Sequence, residues 1–401
     1  MRTFGTVDEL KEFLSNELLF SSEAASYLEV STQRLNQLVH SGKLQPIKAT
    51  RGASLFLKSD LDERKNEANS IGISIKSETK MIMTPNDTVL QEALNYFTIQ
   101  TFFNYSDKKT EPQFARLCSS IDMNESLLNN LDDISKCLMI PSAELKSAFV
   151  AVQRSFERLS EDDLIVKRGT GLYPKLLELT QEAPPYLFMR GNPNLTNYSA
   201  VAVVGTRHPS EDGKKRAARL AKLLGQHKIV VSSGLAMGID TAAHRSALDA
   251  NKPTIAVIGT PITKAYPKEN EKLQQEISER GLVISQFPPS APVQRWHFPM
   301  RNAVMSGISL ATAIIEAGET SGALKQADYA LKQERIVFIP QSALDNEKLK
   351  WPKKYILRAG AEKFSKIDEL IQNLEKSNII ESKIAIKTED RSEQQILFDS
   401  I

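Results

Sequence analysis

Ala200-Val201-Ala202-Val203-Val204, followed at once by Gly205-Thr206-Arg207-His208-Pro209-Ser210, decides how this chain is read. A continuous apolar run of strand length reads as a strand buried on both faces. The same kind of run returns at residues 228–232, 254–258, 282–285, 311–316 and 335–339. Helical patterns lie between, near 212–225, 239–250 and 268–280. Strands alternating with helices predict an α/β domain with a parallel, doubly wound sheet and right-handed crossovers. Such sheets bind ligands beyond the carboxyl ends of their strands, so the loops that follow the runs are the place to look.

Two of those loops carry chemistry. The first is not the dinucleotide fingerprint GxGxxG, because Arg207 stands where that fold needs a glycine. Gly205, Thr206 and Ser210 lead into a helix N-terminus, a geometry that favours an anion, and Arg207 adds a fork for phosphate. Lys214, Lys215, Arg216, Arg219 and Lys222 continue a basic face on the following helix. The second loop, Ser232-Ser233-Gly234-Leu235-Ala236-Met237-Gly238-Ile239-Asp240, has two glycines four apart, expected to bare backbone amides, and Asp240 to cap a helix.

The 401 residues allow two to four domains at roughly 100–200 residues each. With 51 Lys+Arg against 49 Asp+Glu the net charge is +2, which excludes a uniformly polybasic protein but not a local basic patch. Hydrophobic residues make up 41%, enough for packed cores. No run approaches the roughly 18 apolar residues of a membrane helix, and no signal peptide is visible. Cys118 and Cys137 supply neither a disulfide framework nor a four-ligand metal site. A cytoplasmic protein without metal or cofactor is expected.

The expected organisation is a lead-in at 1–16, a compact block at 17–66, a linker at 67–87, a helical segment at 88–165, the α/β domain at 166–375 and a flexible tail at 376–401. In the compact block, Ser21 to Leu28 predicts a capped helix, Val30-Ser31-Thr32 a turn, and Gln33 to His40 a second helix stopped at Gly42. Pro46-Ile47-Lys48 and Ser54-Leu55-Phe56-Leu57 read as two strands of a wing, with a short helix after Ser59. From Arg34 to Ser59 the basic residues Arg34, Lys43, Lys48, Arg51 and Lys58 occur without one acid, a footprint for duplex phosphates. This block resembles the MerR/excisionase-type winged helix-turn-helix. In the helical segment, Phe97, Phe102, Phe103 and Tyr105 form an aromatic cluster read as core packing rather than as a base-stacking surface.

Residues 166–375 resemble the DprA/Smf family of DNA-processing proteins. The resemblance rests on Tyr173-Pro174, the run from Pro184 to Asn192, and Val203 to Ser210. It continues through Ser233 to Asp240 with Ala243-His244, Tyr266 to Asn270, Phe298-Pro299-Met300-Arg301-Asn302, and Glu316-Ala317 with Ser321-Gly322. It implies a Rossmann-like domain that binds single-stranded DNA, forms a homodimer and assists loading of a RecA-type recombinase. The implied site comprises Gly205, Thr206, Arg207, Ser210, Lys214, Lys215, Gly234, Gly238, Lys268, Arg301 and Asn302, with Trp296 or His297 stacking on bases. The chain departs from the pattern at Ala303, where the family usually has Arg, and at Met237, often Lys. It departs also at Gln286, commonly Glu, and Gln341, usually Gly. The family's C-terminal winged helix is not seen.

No catalytic residue is expected. His40, His208, His227, His244 and His297 form no metal-binding pair, and Asp240 with His244 reads as a cap and a core histidine. Glu316 and Glu319 keep open a nucleotide-hydrolase or nucleotide-sensor alternative. A regulator led by the N-terminal block is the other. In the tail, Gln394, Leu397 and Phe398 resemble the peptide that docks on the bacterial sliding clamp, with packing back onto the domain as the other reading.

Overall fold

The computed structural model describes Thr6, Leu35, Val39 and residues 17–28, 44–49, 54–62 and 85–376. The chain divides into two compact units, Met1–Asp87 and Thr88–Ile401.

In the first unit, β1 (Leu18–Phe20) leads into α1 (Ser21–Tyr27), and β2 (Lys48–Ala49) and β3 (Ser54–Leu57) follow. The strands form an antiparallel sheet in the order β1-β3-β2, with Lys48 opposite Leu55. β1 is not among the elements expected from the sequence. A core of Ala24, Ala25, Leu28, Leu35, Leu44, Phe56 and Leu61 closes the unit. Lys48 is exposed, and the Lys58 ammonium lies 5.4 Å from the centre of the Tyr27 ring. Most of the expected second helix, with Arg34, Lys43 and Arg51, lies outside the described residues.

The second unit begins with helices α2 (Pro85–Thr101), α3 (Asp107–Cys118), α4 (Leu131–Leu138) and α5 (Ser142–Phe156). Leu145, Phe149, Val152 and Phe156 recur at spacings of three and four and are the buried apolar face of α5. The α/β part then runs β4 (Leu164–Lys167), α6 (Lys175–Glu178), β5 (Tyr186–Gly191), β6 (Ala200–Gly205), α7 (Glu211–Gln226), β7 (Val230–Ser233), α8 (Ile239–Asp249) and β8 (Thr254–Ile258). It continues with α9 (Glu271–Arg280), β9 (Leu282–Ser285), α10 (His297–Gly307), β10 (Ala311–Glu316), α11 (Gly322–Lys332) and β11 (Ile336–Pro340). It ends with α12 (Gln341–Leu344), α13 (Trp351–Tyr355), β12 (Ala361–Phe364) and α14 (Ile367–Lys376).

Nine strands form one sheet in the order β12-β11-β10-β6-β7-β8-β9-β5-β4. From β12 to β9 the neighbours are parallel, as expected for this Rossmann-like α/β fold. At one edge the sheet extends beyond the strands expected from the sequence, and there β5 pairs antiparallel with both β9 and β4. The strand alternates its side chains to suit. Leu187 and Met189 enter one core, while Tyr186 and Phe188 enter the other, against the helical segment. There the Phe97 ring packs, tilted, with its centre 5.6 Å from that of Phe188 and 5.5 Å from that of Tyr186. Lys167 pairs with Glu92 at 2.6 Å across the same contact. Phe97 is thus a core residue, and the helical segment packs on the sheet as part of one core.

The chain moves outward from β6 through β7, β8 and β9, then returns to β10 on the other side of β6. That reversal splays the loops beyond β6 and β10 apart and opens a crevice at their carboxyl ends.

Candidate nucleic-acid interface

The crevice is a cavity of about 450 Å³ whose lining includes Gly205, Thr206 and Arg207 from the β6 loop, Arg301 and Asn302 from α10, and Lys325 from α11. A smaller space beside it, about 50 Å³, is bounded by Arg207, Gly234, Met237, Tyr266, Phe298 and Arg301. Arg207 is exposed and forms no hydrogen bond or ion pair among the described residues.

The floor is a buried charge network. Asp240 accepts hydrogen bonds from the amides of Gly234 (3.1 Å) and Ala236 (3.3 Å). Arg301, 7% exposed, donates from Nη1 to the carbonyls of Gly234 and Val257 and from Nε to Asn302 Oδ1 at 3.0 Å. Burial pushes the Asp240 carboxyl up to about 6, opposed by the positive charge of Arg301. Burial pushes the Arg301 guanidinium down to about 10, with Arg207 adding to the effect. At neutral pH Arg207 and Arg301 carry two positive charges over the single negative charge of Asp240, so the crevice favours an anion.

Several site residues act differently from the sequence reading. The Gly234 amide is taken by Asp240 rather than bared to a ligand. A Cβ on Gly234 would fall inside the Arg301 guanidinium, and one on Gly238, at φ +86°, would meet the carbonyls of Thr206 and Arg207. These glycines let the two loops touch. Arg301 and Asn302 are buried braces rather than members of an exposed track; Asn302 Nδ2 donates to the Gly322 carbonyl at 3.4 Å.

The N-terminus of α7 already holds an anion, the Glu316 carboxylate. It accepts from the Ser210 amide (2.9 Å) and the Ser210 hydroxyl (2.6 Å), and Arg216 lies 3.3 Å away. Ser210 is thereby committed within the chain. The signal for this lay in Glu316 being the last residue of the strand beside β6, but only the register shows it. Glu319 accepts from the amides of Lys350 and Trp351. Both acids are structural, which removes the feature that favoured a hydrolase.

His244 is fully buried, its Nδ1 2.8 Å from Thr254 Oγ1, and burial pushes it down to about 3. The expectation that His297 stacks on bases is corrected. It is fully buried against the Phe287 ring, 3.9 Å between centroids, and burial pushes it down to about 4. Trp296 is 40% exposed. Two residues not expected at the site from the sequence also border the space: Tyr266, 48% exposed and 5.3 Å from the Phe298 ring, and Lys325. Lys214, Lys215 and Lys268 are exposed but do not line the crevice, and Lys214 pairs with Glu211 at 2.7 Å.

A crevice of this kind, cationic and open at the switch point of a doubly wound sheet, defines a class of anion-binding α/β proteins. Within that class the chain belongs to the DNA recombination-mediator protein A family, whose model matches residues 165–375. It is 36% identical over 226 residues to the DNA processing protein DprA of Streptococcus pneumoniae, covering 55% of this chain and 78% of that protein. The X-ray structure of DNA processing protein A from the same species superposes with a TM-score of 0.56 at 28% identity, over 73% of this chain and 98% of that one. DNA processing protein A from Helicobacter pylori, solved for its single-stranded DNA binding mode, aligns at 24% identity and a TM-score of 0.47, over 54% and 96%. The role of the chain is therefore DNA processing as a recombination mediator, and the family sets it apart from enzymes. No helix among the described residues is long and apolar enough to cross a membrane.

Proposed function

We propose that the switch-point crevice holds the backbone of single-stranded DNA. The observation that carries this reading is Arg207, exposed and unengaged above a cavity whose floor is already neutralised from within. Phosphate adds to Arg207 without breaking an existing pair. The exposed faces of Tyr266 and Met237 border the same space and offer a surface on which an unpaired base stacks. Thr206, Gly205 and Lys325 complete the near contacts, and Lys214, Lys215 and Lys268 extend the basic surface. In this reading the protein shields single strands and passes them to a RecA-type recombinase, acting as a homodimer.

The N-terminal unit contributes separately. A winged helix-turn-helix there, with Lys48 and Lys58 on its described part and Arg34, Lys43 and Arg51 outside it, would hold duplex DNA. Clamp docking by Gln394, Leu397 and Phe398 rests on the sequence pattern alone, since these residues lie outside the described ones.

The test of the main site is Arg207→Ala with oligothymidine. Phosphates carry no base identity, so affinity should fall nearly uniformly across sequences. The slope of log K against log salt should shrink by roughly 0.7 for each phosphate the variant no longer neutralises. Unchanged affinity and slope would remove the crevice from consideration.

A further inference from the structure

On the other side of α7 from the crevice lies a second cavity, about 310 Å³, beyond the carboxyl ends of β10, β11 and β12. Its floor is apolar, made by Ile315, Pro340 and Phe364, and its rim carries Arg216, Arg219 and Lys366. Asp368 is the one acid among its lining residues. Arg219 and Lys366 are exposed, and neither side chain forms a hydrogen bond or ion pair among the described residues. The Arg216 Nε is buried without a partner, although its Nη2 reaches Glu316. A buried donor left unmade costs about 1–3 kcal/mol, so an arriving acceptor gains from it.

We propose that this cavity is a second site, for a nucleoside phosphate, with the phosphate on Arg216, Arg219 and Lys366 and the base on the apolar floor. Three cations line the cavity; Glu316 holds one end of Arg216 and Glu369 accepts from the Lys366 amide, while the Arg219 and Lys366 side chains stay unpaired among the described residues. Arg216 keeps its Nε without a partner while its Nη2 is held by Glu316. The volume lies at the small end of the roughly 300–1,000 Å³ of ligand pockets, the size of one nucleotide rather than a strand. Both cavities open at the same edge of the sheet, so the nucleotide is either one unit of a strand that also crosses Arg207 or a free mononucleotide. The site goes beyond the reading of the crevice and does not depend on it.

The experiment uses the full chain and the double variant Arg219→Ala with Lys366→Ala, whose side chains are exposed and leave the core intact. Calorimetry with dTMP and binding of short and long oligothymidine are measured, with Arg207→Ala in parallel. We expect dTMP binding at least ten-fold weaker in the double variant and retained in Arg207→Ala. The salt slope of long-strand binding should shrink by roughly 0.7 or more in the double variant, with short-strand binding unaffected. A loss confined to dTMP supports the site for a free nucleotide, and a loss confined to long strands supports it as a strand subsite. No saturable dTMP binding together with unchanged long-strand binding overturns the proposal. So does dTMP binding that Arg207→Ala abolishes and the double variant leaves intact. If wild type binds dTMP at this site but no oligothymidine, the crevice reading fails while this one stands.

Discussion

The loops after β6 and β7 have similar sequence credentials: each follows a buried strand, carries glycine and opens a helix. They behave oppositely. The β7 loop is closed on itself, with Asp240 holding its amides and Arg301 its Gly234 carbonyl. The β6 loop satisfies its helix N-terminus with Glu316 and leaves Arg207 unengaged. A glycine beside a strand end therefore signals close approach of something, and here that something is mostly the protein itself. The residue free to meet a ligand is the one whose neighbours are already paired.

The sharpest way to break this comparison is Arg301→Ala. It strips the β7 loop of its brace and leaves Asp240 buried without a counter-charge, which should cost about 3–5 kcal/mol in urea unfolding. Arg207→Ala, by contrast, should change stability by less than about 0.5 kcal/mol, as expected of an exposed side chain. Equal losses would mean that both arginines are structural.

Acid should act on the same side of the comparison. His244 on α8 and His297 on α10 have folded values pushed to about 3 and about 4, below the ordinary 6.5. Their contribution is fully present above 6.5 and is lost as pH falls toward those values. Asp240 works in the opposite sense. Its folded value is raised to about 6, so the penalty of ionising it is relieved as pH falls through 6 toward 3.8. Two histidines outweigh one aspartate, and a net loss of about 2–3 kcal/mol is expected on going from neutral to about pH 4.5. His244→Gln together with His297→Gln should flatten that acid limb; an unchanged limb would place the effect elsewhere.

On the exposed side, Tyr266→Ala should weaken single-strand binding by about 1–3 kcal/mol if one base stacks there, with the salt slope unchanged. The smallest expected effect is that of Glu316→Gln. Removing the internal anion from the α7 N-terminus should cost roughly 0.3–1 kcal/mol of stability, and it should raise affinity for single strands less than ten-fold. Lowered affinity would show that Glu316 positions Arg207 rather than competing with phosphate.

Much of this was legible in the sequence. The runs at 200–204, 254–258 and 282–285 announced buried strands because parallel strands are apolar on both faces, and His244 read correctly as a core residue. Asp240 does not cap its helix as expected: it lies within the first turn and holds the loop amides of Gly234 and Ala236 instead. What escaped depends on register. Nothing local tells that Glu316 ends opposite Gly205, or that Arg301 points inward beneath Gly234. Tyr186 to Gly191 contributed motif residues but was not read as an antiparallel strand, because its alternation of aromatic and aliphatic side chains serves two different cores. Tyr266 was read as a motif letter, and its exposure is a property of the fold alone.

The bond between Ser210 and Glu316 joins residues 106 positions apart. Closing a loop of that length costs about 4 kcal/mol of chain entropy before any contact repays it. β7, β8 and β9 can add outward from β6 in order, each a short step along the chain. β10 must instead find the far side of β6 after all of them have been made. The crevice is thus a property of the nearly finished chain: during synthesis Arg207 waits as an isolated cation until the last third of the polypeptide arrives to build the wall opposite it.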